Sequence, residues 1–213
     1  MTRLLVIVGG LMISRSALAG ETVLDIVMGQ MKGKATLVNS ILANGNKYVR
    51  MGMILEDANG RSVSVLQEST YSKTGRPIRK LQTTTMKGEG VRQSLVAIFD
   101  ESGANLKIEQ GGKSNTDLIP MPSGKSIEAA PEFWFVRDDV KVGGVKTYWR
   151  FDLAARQWVE TVCTYHGKRE LGWAGKKVSA HYITYGEIKA YVDDSGDPYL
   201  IDTGSSTMTR RAK

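Results

Sequence analysis

Four short stretches punctuate this chain at intervals and constrain its fold more than anything else in it: "DANG" (57–60), "SKTG" (72–75), "DESG" (100–103) and "DDSG" (193–196). Each has Asp or Ser first and Gly fourth, the preference of a type I turn: the side chain caps the turn backbone, and Gly accepts the positive φ that follows. Short runs rich in Val, Ile, Thr, Tyr and Phe flank every one of them. Consecutive antiparallel hairpins are the simplest consequence.

The pattern predicts strands over 47–56, 61–71, 76–85, 91–99 and 104–110, then over 146–151, 157–165, 177–185, 188–192 and 199–202. No fixed-length motif recurs, which argues for a meander and against a propeller or solenoid. Nothing alternates helix with strand as a parallel α/β sheet would. Two stretches break the rhythm. In "ETVLDIVMGQMK" (21–32), Leu24, Val27, Met28 and Met31 fall at helical spacing and predict a short amphipathic helix. The proline-bearing loop that runs into Phe133, Trp134 and Phe135 has room for a helical turn or two from Pro131. The expected fold is therefore mainly β: a curved antiparallel sheet, half-barrel or open barrel, with one or two short helices.

The chain opens "MTRLLVIVGGLMISRSALAG", with a basic start at Arg3, an apolar run over 4–13 and small residues at Ala17 and Ala19. That is the layout of an export signal cleaved after Ala19. An apolar run of about ten residues is too short for the ~20 that span a bilayer as a helix, so no stable transmembrane segment is expected in the mature form. The expected divisions are a signal over 1–19, one β domain over 20–208 and a basic disordered tail over 209–213. The product is expected in a periplasm or outside the cell. Arg3 and Arg15 leave with the signal, so 27 basic residues remain against 22 acids, a mature formal charge of about +5. The excess is spread over short segments with one dense cluster in "TRRAK". A solvated surface is the first reading of it and weak attraction to anionic lipid headgroups or envelope polymers the second; nucleic acid is not an expected partner.

The residues that carry chemistry are few. Cys163 and His166, in "ETVCTYHGKRE", are three apart; strand alternation puts them on opposite faces, with "HG" beginning a turn. A lone Cys among β-formers is most often a small buried hydrophobe, and a catalytic Cys163 would require the distant His181 as its base. Three Cys and His residues in total are too few for a four-ligand zinc site, and "DDSGD" lacks the ligand spacing of a calcium loop, so no metal or cofactor is expected. "GGKS" (111–114) and "PSGKS" (122–126) lack the earlier Gly of a phosphate loop. No enzyme class has support.

The aromatic residues concentrate in the C-terminal half, where they either fill a core or line a cavity. On the second alternative, Phe133, Trp134, Trp149 and Tyr182 are the candidate ligand-binding residues. The segments "YSKTGRPIRKLQ", "LIPMPSG", "VGGVKTYWRFDLAARQWVETVCTY", "GKKVSAHYI" and "AYVDDSGDPYLIDT" together resemble a family of exported bacterial β domains of poorly defined function, found alone or ahead of transglutaminase-like domains. The layout is more loosely similar to the Lol lipoprotein-carrier half-barrels, whose concave side is covered by helices. That likeness implies a non-enzymatic envelope protein holding a hydrophobic or amphipathic ligand, a lipid or lipoprotein, in the concavity. The alternative expectation is an accessory module that binds another envelope protein or a cell-wall polymer.

Overall fold

The computed structural model describes residues 20–127 and 140–212. Fourteen strands form one antiparallel sheet: β1 (Gly20–Met28), β2 (Met31–Ile41), β3 (Lys47–Glu56), β4 (Ser62–Tyr71), β5 (Pro77–Met86), β6 (Gly90–Asp100), β7 (Gly103–Gln110), β8 (Lys113–Pro120), β9 (Val145–Asp152), β10 (Gln157–Trp173), β11 (Lys176–Tyr185), β12 (Ile188–Val192), β13 (Pro198–Asp202) and β14 (Thr207–Arg210). The order across the sheet is β8-β7-β6-β5-β4-β3-β2-β1-β14-β13-β12-β11-β10-β9. Two meanders are thus joined where the first strand pairs with the last, Leu24 opposite Arg210 and Val27 opposite Thr207.

The four sequence turns make these hairpins. Gly60, Gly75, Gly103 and Gly196 have positive φ, while Asp57, Asp100 and Asp193 cap turn amides two residues on through Oδ1. Burial alternates most clearly along β2, β3, β4 and β12. Leu24, Ile26 and Met28 of β1, Ala35 and Leu37 of β2, and Val49, Met51, Met53 and Leu55 of β3 point to one face, against Cys163, Tyr165, Ile183, Tyr185, Val192, Ile201 and Met208 from the second meander. Among the described residues no disulfide supplements this core. Removal of these side chains from water, at roughly 1.5–3 kcal/mol for each large one, is the main stabilising contribution.

A second core reveals how the sheet ends. Leu95, Ala97 and Phe99 of β6 and Ala104 and Leu106 of β7 pack against Ile127, Phe151 and Leu153, with Trp158 alongside. Phe151 lies opposite Trp158 in the β9–β10 ladder, and Tyr148 opposite Thr161. Residues three apart on a strand face opposite ways. Tyr148 therefore enters the first core and Phe151 the second, so the closed end of the β9–β10 hairpin is covered on both sides. Phe99 meets Phe151 and Trp158 edge-on at ring-centre distances of 5.7 and 5.9 Å, and Trp158 Nε1 donates to the Ile119 carbonyl of β8 at 3.2 Å. The edge strands β8 and β9 do not pair with each other. The sheet curls past itself as an open, barrel-like spiral rather than closing a ladder.

Several expectations need correction. Residues 21–32 are not a helix but most of β1, a turn at Gly29 and Gln30, and the start of β2: Leu24, Ile26 and Met28 alternate with Val23, Asp25 and Val27, and β1 is held on both sides by β2 and β14. Among the described residues there is no helix at all, so the expected one or two short helices are not found. The segment around Pro131 lies outside the described residues, as do residues 1–19. His166 and Gly167 do not begin a turn; a bulge between Tyr165 and Lys168 absorbs them and β10 runs on to Trp173. Thr209 and Arg210, assigned to the tail by sequence, are in β14, and Arg211 N still donates to the Val23 carbonyl.

Candidate functional site

Of the four residues expected to line a ligand site, Trp149 and Tyr182 lie among the described residues. Phe133 and Trp134 lie outside the described residues. Tyr182 stands on the outer face, because Ile183 and Tyr185 of the same strand fill the inner one. Its ring is stacked between His166 and Tyr191, each at a ring-centre distance of 4.7 Å, and the Arg169 guanidinium lies 4.6 Å from its centre. With both faces taken by neighbours, Tyr182 has no face left for a ligand; it is a rung of a cross-strand ladder. Trp149 is half-buried on β9, opposite Glu160, and its indole Nε1 is buried without a hydrogen-bond partner among the described residues.

Cys163 and His166 are on opposite faces. Cys163 is 2% exposed in the main core, whereas His166 Nε2 is 2.8 Å from Thr184 Oγ1. His181 is engaged at both ring nitrogens: Tyr165 OH is 2.7 Å from Nδ1, and Nε2 is 2.9 Å from Asp194 Oδ1. Burial pushes the Tyr165 phenol up, so it stays neutral and shares one hydrogen with Nδ1, while Nε2 meets the Asp194 carboxylate. Lys168 Nζ reaches the same Asp194 oxygen at 2.7 Å, and that contact, followed by the one from His181, holds the Asp194 carboxyl below its usual range. This chain spans the β10 bulge, with Lys168 on one side of it and Tyr165 on the other, and fixes the strand across it. Among the described residues no group of three His, Cys, Asp or Glu could hold a metal.

What the fold does build is a groove of about 860 Å³ at the rim, where β1 begins, β14 ends, the β10–β11 hairpin turns and the β12–β13 turn comes forward. Trp173, Lys176, Asp197 and Arg210 line it together with Glu21 to Val23 and Arg211. The long β10–β11 hairpin supplies the tryptophan. It turns through Ala174 and Gly175 at φ of 50° and 74°, the doubly positive pattern of a type I′ turn that matches strand twist. Trp173 Nε1 then donates to the Arg210 carbonyl at 2.7 Å, and its ring meets Tyr199 at 5.1 Å.

Arg210 organises the rim. Nε donates to the Pro198 carbonyl at 2.7 Å, and Nη2 donates to Asp193 Oδ2 at 2.8 Å and to the Asp197 carbonyl. The guanidinium also covers the Tyr199 ring, 4.2 Å from its centre. The Asp197 carboxylate is left in a different position. Its hydrogen bond from Asn39 Nδ2 is long, 3.5 Å, and Arg210 takes Asp193's carboxylate and Asp197's backbone instead. Burial, then repulsion from Asp193, pushes the Asp197 carboxyl up; Arg210 and Asn39 offset this only in part. None of these rim residues belonged to the sequence expectation. They lie in four segments far apart in the chain, and a lone Trp or Asp carries no signal that the fold will bring them together.

No family model and no curated protein matches this chain. A solved structure similar to it is a β-barrel-like protein of a domain of unknown function, DUF1849, from Brucella abortus, at 11% sequence identity with a TM-score of 0.62, covering 91% of this chain and 95% of that one. At that identity the likeness carries the fold alone: a barrel-like β architecture of undefined function, with no catalytic activity indicated. It lends no support to the resemblance to transglutaminase-associated domains or to the Lol carriers.

Proposed function

We propose that this protein is a non-enzymatic, exported binding module that holds an amphipathic ligand in the rim groove. The single observation that carries the reading is the composition of that groove. Val23, Trp173, Ala174 and Ala212 give it apolar wall, while Lys176, Arg211, Glu21 and Asp197 give it charge of both signs. Its volume, about 860 Å³, is that of a small-molecule site rather than a surface dimple. Apolar surface removed from water there contributes about 25 cal/mol per Å², less the cost of ordering the ligand. The charged residues orient the polar end.

This moves the site from the concavity, where β1–β4 face β9–β14 across packed side chains, to its mouth. A lipid, an acylated partner or an amphipathic segment of another envelope protein has the required chemistry. Lys176 has no ion pair among the described residues and serves an anionic headgroup or carboxylate. The test is a titration of the mature protein with a fluorescent fatty-acid probe. Saturable binding that Trp173→Ser and Lys176→Glu each weaken about tenfold or more supports the proposal; binding that neither variant changes removes the site from this groove.

A further inference from the structure

Two polar groups at the rim lack what they need, and both lie beside the start of β1. Asn39 is 5% exposed, yet its Oδ1 is buried with no hydrogen-bond donor among the described residues. A buried acceptor left unpaired costs about 1–3 kcal/mol, so native proteins rarely leave one. Asp197, whose Oδ1 accepts the long bond from the other end of the same amide, is a half-buried carboxylate with no ion pair among the described residues, its charge offset only in part by Arg210. One group would satisfy both: a cation with several hydrogen-bond donors, placed between them.

The register says where it comes from. Gly20 is the first residue of β1 and is paired directly with Asn39. Antiparallel partners have Cα atoms about 4.5–5.5 Å apart. Glu21, Thr22 and Val23, which follow it, line the same groove as Asp197. Read as a signal-peptidase site, "ALAG" is cut between Ala19 and Gly20, and on that reading processing creates an α-ammonium, with three N–H donors, at this point. We infer that the new α-ammonium of Gly20 docks between Asn39 Oδ1 and the Asp197 carboxylate, so that removal of the export signal completes the rim. An ammonium there donates to the orphaned amide oxygen, neutralises the buried carboxylate and pins the end strand of the barrel seam. A chain that still carries its signal has a neutral peptide N–H in that place, with one donor and no charge. The rim is thus locked in the exported form and looser before processing.

The other charges around this point do not replace it. Arg210 is spent on Asp193 and on backbone carbonyls, and Arg211 is paired with Asp25. Glu21 and Lys176 complete the titratable surroundings from β1 and β11. An ammonium paired with Asp197 keeps its proton to higher pH than the ordinary α-amine range of about 7.7–8.0. Its folded-state affinity for the proton is then above its unfolded one, so its contribution to stability is complete below that range and is lost as pH rises through the higher, folded value.

The inference rests on export processing and not on the groove's ligand, so a groove that binds no amphiphile leaves it standing. The test uses the mature protein purified from a periplasm, with its first residue fixed by intact mass, beside a form extended by one Ser ahead of Gly20. Both are made with Asp197 and with Asp197→Asn. The expected result is Gly20 as first residue, an α-amine that titrates measurably above the ordinary range by NMR, and a melting temperature lowered about 2–4 °C by the extension. In the Asp197→Asn background the amine returns to its ordinary range and the extension has little effect. A different first residue, an α-amine titrating at its ordinary value, or an extension effect equal in both backgrounds overturns it.

Discussion

Replacing Arg210 by Met keeps the length and apolar stem of the side chain and removes its guanidinium. The structure gives the cost in parts. Two carbonyls, of Asp197 and Pro198, lose a donor, and Asp193 loses its ion pair while still capping the amides of Ser195 and Asp197. Arg210 and Asp193 are 18% and 24% exposed, so the pair is part-buried, between a surface bridge and a fully buried one. Breaking a buried pair by deleting one partner costs 3–5 kcal/mol, and at this residual exposure the lower end applies, about 3 kcal/mol. For a domain of this size that is a fall in melting temperature of roughly 6–12 °C. The matched control is Arg211→Met, whose pair with Asp25 is 45% and 49% exposed and is worth under about 1 kcal/mol. Urea unfolding of the three proteins, with an unchanged slope, reads the difference directly. If Arg210→Met costs under about 1 kcal/mol, or no more than Arg211→Met, Arg210 is not the organiser of the rim.

Three further predictions follow from particular geometries. A Cβ on Gly33 would sit 1.8 Å from the Ile54 carbonyl oxygen, whereas one on Gly52, in the neighbouring strand, meets nothing within 4 Å. Gly33→Ala is therefore expected to cost about 3 kcal/mol or more, and Gly52→Ala to stay within about 1 kcal/mol, by the same urea assay. Ala174 holds a φ of 50° that costs a residue with a side chain about 1–2 kcal/mol, so Ala174→Gly should stabilise the protein by roughly 0.5–1 kcal/mol, and a loss would refute the type I′ turn. Asp194 is held below its usual carboxyl range by Lys168, then by His181, so its small contribution is present above the unfolded value near 3.8 and disappears as pH falls through the lower folded value. Asp194→Asn should lower the melting temperature slightly at pH 7, and the difference should shrink as pH falls below 3.8.

The central strands were legible because their turns are written in local chemistry and their faces alternate. The β3 boundaries predicted from sequence, 47–56, are those observed. The beginning of the chain misled for a physical reason. Both faces of β1 carry apolar residues, Val23 and Val27 outside and Leu24, Ile26 and Met28 inside, so a helical period can be drawn through the same letters. Strand β8, "KSNTDLIP", is almost wholly exposed and shows no alternation at all. Its sign was the Gly111–Gly112 pair, both at positive φ, a tight-hairpin signal that resembles part of a phosphate loop when read alone. The extent of β10 was hidden by His166–Gly167, where a bulge imitates a turn. The rim groove was not legible because it depends on the β1–β14 seam, a pairing between residues nearly two hundred positions apart.

The most direct test of the binding-module reading is native mass spectrometry of the mature protein taken from a periplasm, with lipids and peptides extracted from the same sample. A bound amphiphile, present in the wild type and lost in both Trp173→Ser and Lys176→Glu while the fold persists, is the predicted result. Wild-type protein that is empty as isolated and takes up no fatty-acid probe or amphipathic peptide would contradict it.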